Sequence, residues 1–268
     1  MGRPILNKKT LVFYPHGLGD CILLTPVLRE HFLTTGVKAS VATLERFRTA
    51  KFFDHNPYVD KIVYTKDAWN DYPNFHFGCQ KILEYCVKWC VENDHARLAR
   101  PQHDDWDQSK IMLNFHHCKL KPASVFTEIF TTDEDKKTAS LFIKQKIGNK
   151  PFGFVQTETG RKLANLPANY GKLWLKEYRD LDNIIEVGED YDPLEFNINT
   201  QFEIMRQAQA VCLPDSVFFN ACGAMSKPVD HLYVAPTWGP RGYARVKPLH
   251  PVKQDVVYKL DEKIMALL

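Results

Sequence analysis

The feature that most constrains this sequence of 268 residues is an alternation of strand and helix patterns that occurs twice. In the first block the apolar runs TLVFY (10–14), VKASVAT (37–43) and DKIVYT (60–65) predict strands. Between the first two, residues 20–35 set Ile22, Leu23, Val27, Leu28 and Phe32 at helical spacing; between the second and third, ERFRTAKFFDHNP reads as a short helix ending before Pro57. Residues 77–92 form a further amphipathic helix, KIMLNF (110–115) reads as a strand, and 133–147 as a helix. That last helix opens with acids and closes with Lys144 and Lys146, as the helix dipole prefers. In the second block FGFVQT (152–157), NIIEVG (183–188), AVCLP (210–214) and DHLYVAP (230–236) are strands, and 171–181, 199–209 and 216–226 are helices. Strands separated by helices pair in parallel, with helices on the sheet faces. The expected class is therefore α/β, with two Rossmann-like halves facing each other across a cleft. The turn GNKP (148–151) sets the expected boundary, giving domains 1–148 and 149–268, with the terminal helix DEKIMALL free to return to the first domain.

Composition narrows the function classes. With 44% hydrophobic and 25% charged residues the chain has ample material for a core. A net charge of +3 tolerates a phosphate-bearing ligand, whereas a non-specific nucleic-acid binder is usually more basic. The seven cysteines are odd in number, mostly inside apolar runs and without a CxxC, which reads as reduced thiols in a cytoplasmic protein. Cys79, Cys86 and Cys90 share one helical face and read as helix packing; a zinc site made with His116, His117 and Cys118 matches no standard ligand spacing. No apolar run approaches the roughly twenty residues of a membrane span. MGRPILNKKT lacks the apolar region of a signal peptide. The expected location is cytoplasmic, with any contact with the inner membrane peripheral.

In open α/β sheets ligands bind beyond the carboxyl ends of the strands. Three such ends carry unusual residues: HGLGD after the first strand, QTETGRK after 152–157, and PDS after 210–214. Gly17 and Gly19 are expected to give the first loop positive-φ freedom and let a ligand approach the backbone beside His16. Asp20 closes that loop, as a helix cap or as a carboxylate reaching into a cleft. The dinucleotide fingerprint G-x-G-x-x-G is incomplete, because Ile22 stands where its third glycine belongs, which argues against a dehydrogenase.

The stretches GLGDCILLTPVLREHF, FVQTETGRK with LPANYGKLW, and VCLPDSVFFNACGAMSKPVDHLYVAPTWGPRGY follow one another in an order that resembles glycosyltransferase family 9, the heptosyltransferase type with the GT-B fold. Two positions depart from that family's pattern. Val217 replaces a glycine after the Asp-Ser pair, and Asn220 replaces a histidine, so a phosphate there would meet a hydrogen-bonding group without charge.

The resemblance implies an inverting transferase using a nucleotide-diphosphate sugar, with no cofactor and no metal in the chemical step. Asp20 would be the general base. The donor phosphates would lie at Ser216 and the first N–H groups of helix 216–226, with Asp215 orienting the helix start or a ribose hydroxyl. Arg161 and Lys162 would neutralise the leaving diphosphate, with Thr157 and Thr159 as hydroxyl donors and Arg241 in the loop TWGPRGYAR as a further cation. Glu186 or Glu189 would hold ribose hydroxyls. HDDWD (103–107) reads as an acceptor-facing or solvated loop, or as a Mg²⁺ site. The family default acceptor is a lipopolysaccharide-type carbohydrate; a protein side chain and a modified nucleic-acid base stay open. The competing reading is a non-catalytic nucleotide- or sugar-binding module on the same fold, favoured by Asn220 and opposed by Asp20.

Overall fold

The computed structural model describes residues 9–68, 70–95, 97–99, 110–159, 165–235 and 254–268. The chain divides into two compact units, Met1–Glu128 and Ile129–Leu268. Each is built on a parallel sheet, as the alternation requires.

In the first unit the elements are β1 (Thr10–Phe13), α1 (Leu18–Thr35), β2 (Ala39–Leu44), β3 (Val59–Thr65), α2 (Phe75–Glu92), β4 (Arg97–Ala99) and α3 (Lys110–Cys118). The sheet order is β3-β2-β1-β4, all parallel. β1 and β2 are buried along their whole length, which is why they read as unbroken apolar runs. Cys79, Cys86 and Cys90 of α2 pack with Leu11, Phe13 and Ala42 in one apolar cluster. Burial pushes the Cys86 thiol up to about 12, so it packs as a neutral group.

Two local expectations give way here. KIMLNF lies in α3, not in a strand: Ile111, Asn114, Phe115 and Cys118 are buried at helical spacing, a period that six residues are too few to display. The segment after β2 makes only a 3₁₀ turn, Glu45–Phe47. Lys51, at φ 53°, breaks the run, and the Phe52 and Phe53 rings turn inward together, 4.9 Å apart.

The TPV motif of α1 has a structural use. Pro26 has no N–H to give the Ile22 carbonyl, and the Thr25 hydroxyl supplies the missing donor at 2.8 Å. The same hydroxyl accepts the Glu128 N–H at 2.9 Å. One turn on, Arg29 binds the Ser124 and Phe126 carbonyls, each at 3.1 Å, and pairs with Glu128 at 2.6 Å. Thr25 and Arg29 thus fasten the segment 124–128 to α1.

The second unit contains α4 (Asp133–Ile147), β5 (Gly153–Gln156), α5 (Tyr170–Arg179), β6 (Ile184–Val187), α6 (Ile198–Gln207), β7 (Ala210–Pro214), α7 (Val217–Ala224), β8 (Val229–Tyr233), β9 (Gln254–Val257) and α8 (Glu262–Met265). Its order is β6-β5-β7-β8-β9, again all parallel. α4 belongs to this unit, which puts the division about one helix before the GNKP turn. The reason is Asp135. Its carboxylate closes a capping box with Thr132 and accepts from Asn197 at 2.9 Å and Thr200 at 3.0 Å, at the start of α6. Burial raises the Asp135 pKa, but these hydrogen bonds outweigh it and hold the carboxyl below its ordinary value.

The C-terminal helix also stays in its own unit. Ile264 of α8 is buried in the cluster that holds Tyr170 and Trp174 of α5. The Tyr170 hydroxyl accepts from the Asp261 N–H at 2.8 Å, and Tyr178 donates to the Asp261 carboxylate at 2.9 Å.

Candidate functional site

Both sheets have a topological switch point. From β1 the chain first builds outward through β2 and β3, then adds β4 on the opposite side. From β5 it goes to β6 on one side and later to β7 on the other. Connections that diverge from neighbouring strands leave a crevice beyond the carboxyl ends, the usual ligand position of open α/β sheets. His16, Gly17 and Asp20 follow β1 at the first switch point. Thr157 follows β5, and Asp215 and Ser216 follow β7, at the second.

At the first site α1 starts at Leu18, with Gly17 as its N-cap, so Asp20 lies within the first turn and is not the cap. The Asp20 N–H bonds the Gly17 carbonyl at 2.9 Å. Gly17 has φ −60°, which any residue can adopt, and Gly19 is helical; the described glycines with positive φ are Gly36, Gly148 and Gly188. The expected left-handed loop is therefore absent here. A Cβ at Gly17 would stand 3.5 Å from Asp20 Oδ2, an ordinary contact, so neither the dihedral nor the space around it requires glycine. Below the carboxylate, Tyr14 is fully buried, stacks edge-on against His16 at 4.7 Å and receives a hydrogen bond from Asn114 at 3.3 Å. Burial first, and then the Asp20 charge, raise the Tyr14 pKa well above its ordinary value. The same two causes, in that order, push the Cys21 thiol up to about 12. Tyr14 and Cys21 therefore stay neutral beside the Asp20 carboxylate.

At the second site Ser216 is the N-cap of α7 in extended conformation, yet its side chain makes no capping bond. Its hydroxyl is buried and has no hydrogen-bond partner. Capping is thus not what Ser216 does, and α7 begins with an uncommitted hydroxyl beside its N-terminal dipole. Asp215 is buried, with its N–H on the Tyr233 carbonyl at 3.0 Å. Asn220 lies buried one turn into α7.

Thr157, Glu186 and Glu189 come together, in an arrangement of their own. The Thr157 hydroxyl donates to Glu186 Oε1. Lys172 of α5 bridges Glu186 at 3.1 Å and Glu189 at 2.6 Å. Burial lowers the Lys172 pKa, but its hydrogen bonds to Glu189 and Glu186 prevail and raise it; Lys172 in turn holds Glu189 below its usual range. This cluster lies on the α5 face of the sheet, because Val155 and its cross-strand partner Glu186 point to that face and Thr157 is in phase with them. Sequence reasoning counted Lys172 only among the basic residues of 160–180 and did not join it to this group as its fourth member; it overlooked Gln156, although a polar residue ending an apolar strand at its carboxyl end is a readable signal. Arg161, Lys162, Arg241 and the HDDWD segment lie outside the described residues. Among the described residues no group of three or more His, Cys, Asp or Glu side chains is placed to hold a metal ion, and no helix is long and apolar enough to cross a membrane.

No protein-family model matches the sequence, and no curated protein does so either. Solved structures do match in fold. A glycosyl transferase family 9 protein from Veillonella parvula superposes with a TM-score of 0.68 at 12% identity, over 99% of this chain and 90% of the other. The ADP-heptose lipopolysaccharide heptosyltransferase II of E. coli gives 0.59 at 11% identity, over 93% and 90%. E. coli heptosyltransferase WaaC with ADP-2-deoxy-2-fluoro heptose gives 0.52 at 14% identity, over 93% and 92%. The two parallel-sheet units, with a strand-end site at each switch point, thus have the fold of the family 9 glycosyltransferases.

Proposed function

We propose that the protein is an inverting glycosyltransferase that moves a sugar from a nucleotide-diphosphate sugar to an acceptor hydroxyl. The observation that carries this reading is the division of chemistry between the two switch points: Asp20 at one, and at the other the start of α7, where the Ser216 hydroxyl makes no capping bond. The second site suits the donor diphosphate, because the helix dipole and the unpartnered Ser216 hydroxyl both favour an anion. Arg161, Lys162 and Arg241 are the cations assigned to the leaving group. The first site suits the acceptor. The Asp20 carboxylate takes the proton of the acceptor hydroxyl while its oxygen bonds the anomeric carbon from the face opposite the diphosphate. The anomeric C–O bond breaks, its electron pair leaves on the nucleoside diphosphate, and the configuration inverts. The fold neighbours support the donor class, since one of them was solved with an ADP-heptose analogue. A carbohydrate of the lipopolysaccharide type is the first acceptor to try.

The reading predicts nucleoside diphosphate release from one of the ADP-, UDP- or GDP-sugars when lipopolysaccharide-core sugars are supplied. NMR of the product is expected to show the anomeric configuration opposite to the donor's. A retained configuration contradicts the single displacement with Asp20 as base. Tight donor binding without release on any carbohydrate, protein or hydroxymethylated-DNA acceptor favours the non-catalytic module.

A further inference from the structure

Gln156, the last residue of β5, is nine-tenths buried at the second switch point. Its side-chain Nε2 donates to the Glu158 carbonyl at 2.8 Å, which fixes the amide and makes Oε1 the free end. That Oε1 is buried and has no hydrogen-bond partner. A buried acceptor without a donor is costly, and a native structure keeps one where something else supplies the donor.

The pleat says where this oxygen belongs. Phe154 lies on the α6/α7 face, its ring 5.2 Å from Phe218 in the first turn of α7, while Val155 packs in the α5 cluster on the other face. Gln156 is two residues beyond Phe154, so it shares the α7 face and stands roughly 7 Å further toward the strand's carboxyl end. That level is the start of α7, where the Ser216 hydroxyl is also unpartnered. The pleat thus puts two unsatisfied side chains, Gln156 and Ser216, on the same face and at the same end of the sheet. They ask for different things. The helix start asks for an anion, and Gln156 Oε1 asks for a hydrogen-bond donor, which a phosphate oxygen cannot be. A hydroxyl-bearing ring carried next to a phosphate satisfies both.

Resting on the donor-site reading above, we propose that Gln156 is a specificity-determining residue whose carboxamide oxygen accepts a hydrogen bond from a sugar hydroxyl of the donor, adjacent to the phosphate at α7. The ribose and the transferred sugar both offer that chemistry. Gln156 selects for a hydroxyl at the position it faces and rejects the deoxy analogue, since only the hydroxyl fills the vacancy.

The test is calorimetric titration of the full chain and of Gln156→Leu with ADP, UDP and GDP, their 2′-deoxy forms and the corresponding nucleotide sugars. Wild type is expected to bind, and Gln156→Leu to bind roughly tenfold more weakly, the loss of one hydrogen bond. Weakening with the bare diphosphate as well as the nucleotide sugar assigns the ribose, and weakening with the nucleotide sugar alone assigns the transferred sugar; either supports the proposal. Ligand-free Gln156→Leu loses the unsatisfied oxygen and also the Nε2 bond to the Glu158 carbonyl, two opposing changes, so its melting temperature is expected to stay close to wild type, whereas a purely structural role would lower it. Gln156→Ala removes the same oxygen should the leucine variant fail to fold. Unchanged affinity in a folded variant overturns the role of Gln156 and leaves the donor site standing. Failure of wild type to bind any of these ligands overturns the donor site and the proposal together.

Discussion

Asp20→Asn is expected to lower the transfer rate by about a hundredfold to ten-thousandfold, the usual worth of a positioned general base, with donor affinity unchanged. The substitution preserves shape. Gly17 remains the cap of α1, and the backbone bond from residue 20 to the Gly17 carbonyl remains at 2.9 Å. What changes is the ability to accept a proton. The first turn loses a negative charge near the positive end of the helix dipole, worth only about 0.5 kcal/mol, so the fold persists. Donor affinity is expected to persist because the proposed phosphate site, Ser216 and the start of α7, belongs to the other unit. A variant that keeps its rate within a few-fold of wild type, measured as nucleoside diphosphate release at saturating donor, shows that Asp20 has a structural role in α1 and that the base is elsewhere.

The second large effect is an acid instability located at His231. This side chain is almost fully buried on β8 between Tyr170 and Trp174, with ring centroids 5.5 and 4.8 Å away. Its Nε2 lies 3.3 Å from the Tyr170 hydroxyl, which already accepts the Asp261 N–H and therefore has its proton to give. The ring is thus held neutral as an acceptor. Burial drives the His231 pKa from 6.5 down to about 4, against smaller opposing pulls from Asp261 and Asp255. Because the folded-state pKa lies below the unfolded value, the unfolded chain takes up the proton first as pH falls. The neutral ring's contribution is fully present above the unfolded value and is lost as pH drops toward 4. At about 1.4 kcal/mol per pKa unit the gap is worth roughly 3 kcal/mol, of which about 2 kcal/mol goes between pH 7 and 5, before most carboxylates titrate. Urea unfolding of His231→Phe at the two pH values is expected to show a pH-dependent loss smaller than wild type by that amount. Equal losses in the two proteins would remove His231 from the account.

The alternating blocks made the parallel sheets legible, because β1, β5 and β7 are buried on both faces and so appear as short continuous apolar runs. The strand-end positions of Asp20, Asp215 and Ser216 were legible for the same reason, since they follow directly from where those runs stop. Four things were not. α3 hides its helical period in a six-residue window, and its role emerges only when Asn114 reaches Tyr14 and Leu23 across about a hundred positions. The allegiance of α4 depends on hydrogen bonds from Asn197 and Thr200 to Asp135, contacts that no local spacing announces. The positive-φ reading of Gly17 and Gly19 failed because Gly17 is the extended N-cap of α1 and Gly19 already lies in the helix, backbone states that any residue adopts, so a glycine in a loop pattern does not by itself report a dihedral. At the second site, Lys172 claims Glu186 and Glu189 from one turn into α5, and only the folded sheet brings all three together.

The central claim is that a nucleotide-diphosphate sugar binds this chain with its phosphates at the start of α7. Thermal unfolding with and without ADP-, UDP- and GDP-sugars tests it most directly, because a ligand that binds only the folded state raises the midpoint. At a hundredfold excess over Kd the gain is about 2.7 kcal/mol, or roughly 5 °C or more for a unit of this size. The account predicts that rise with at least one nucleotide sugar, and its disappearance in Ser216→Glu, which places a carboxylate where the diphosphate belongs. No rise with any nucleotide diphosphate or nucleotide sugar, or an undiminished rise in Ser216→Glu, would contradict it.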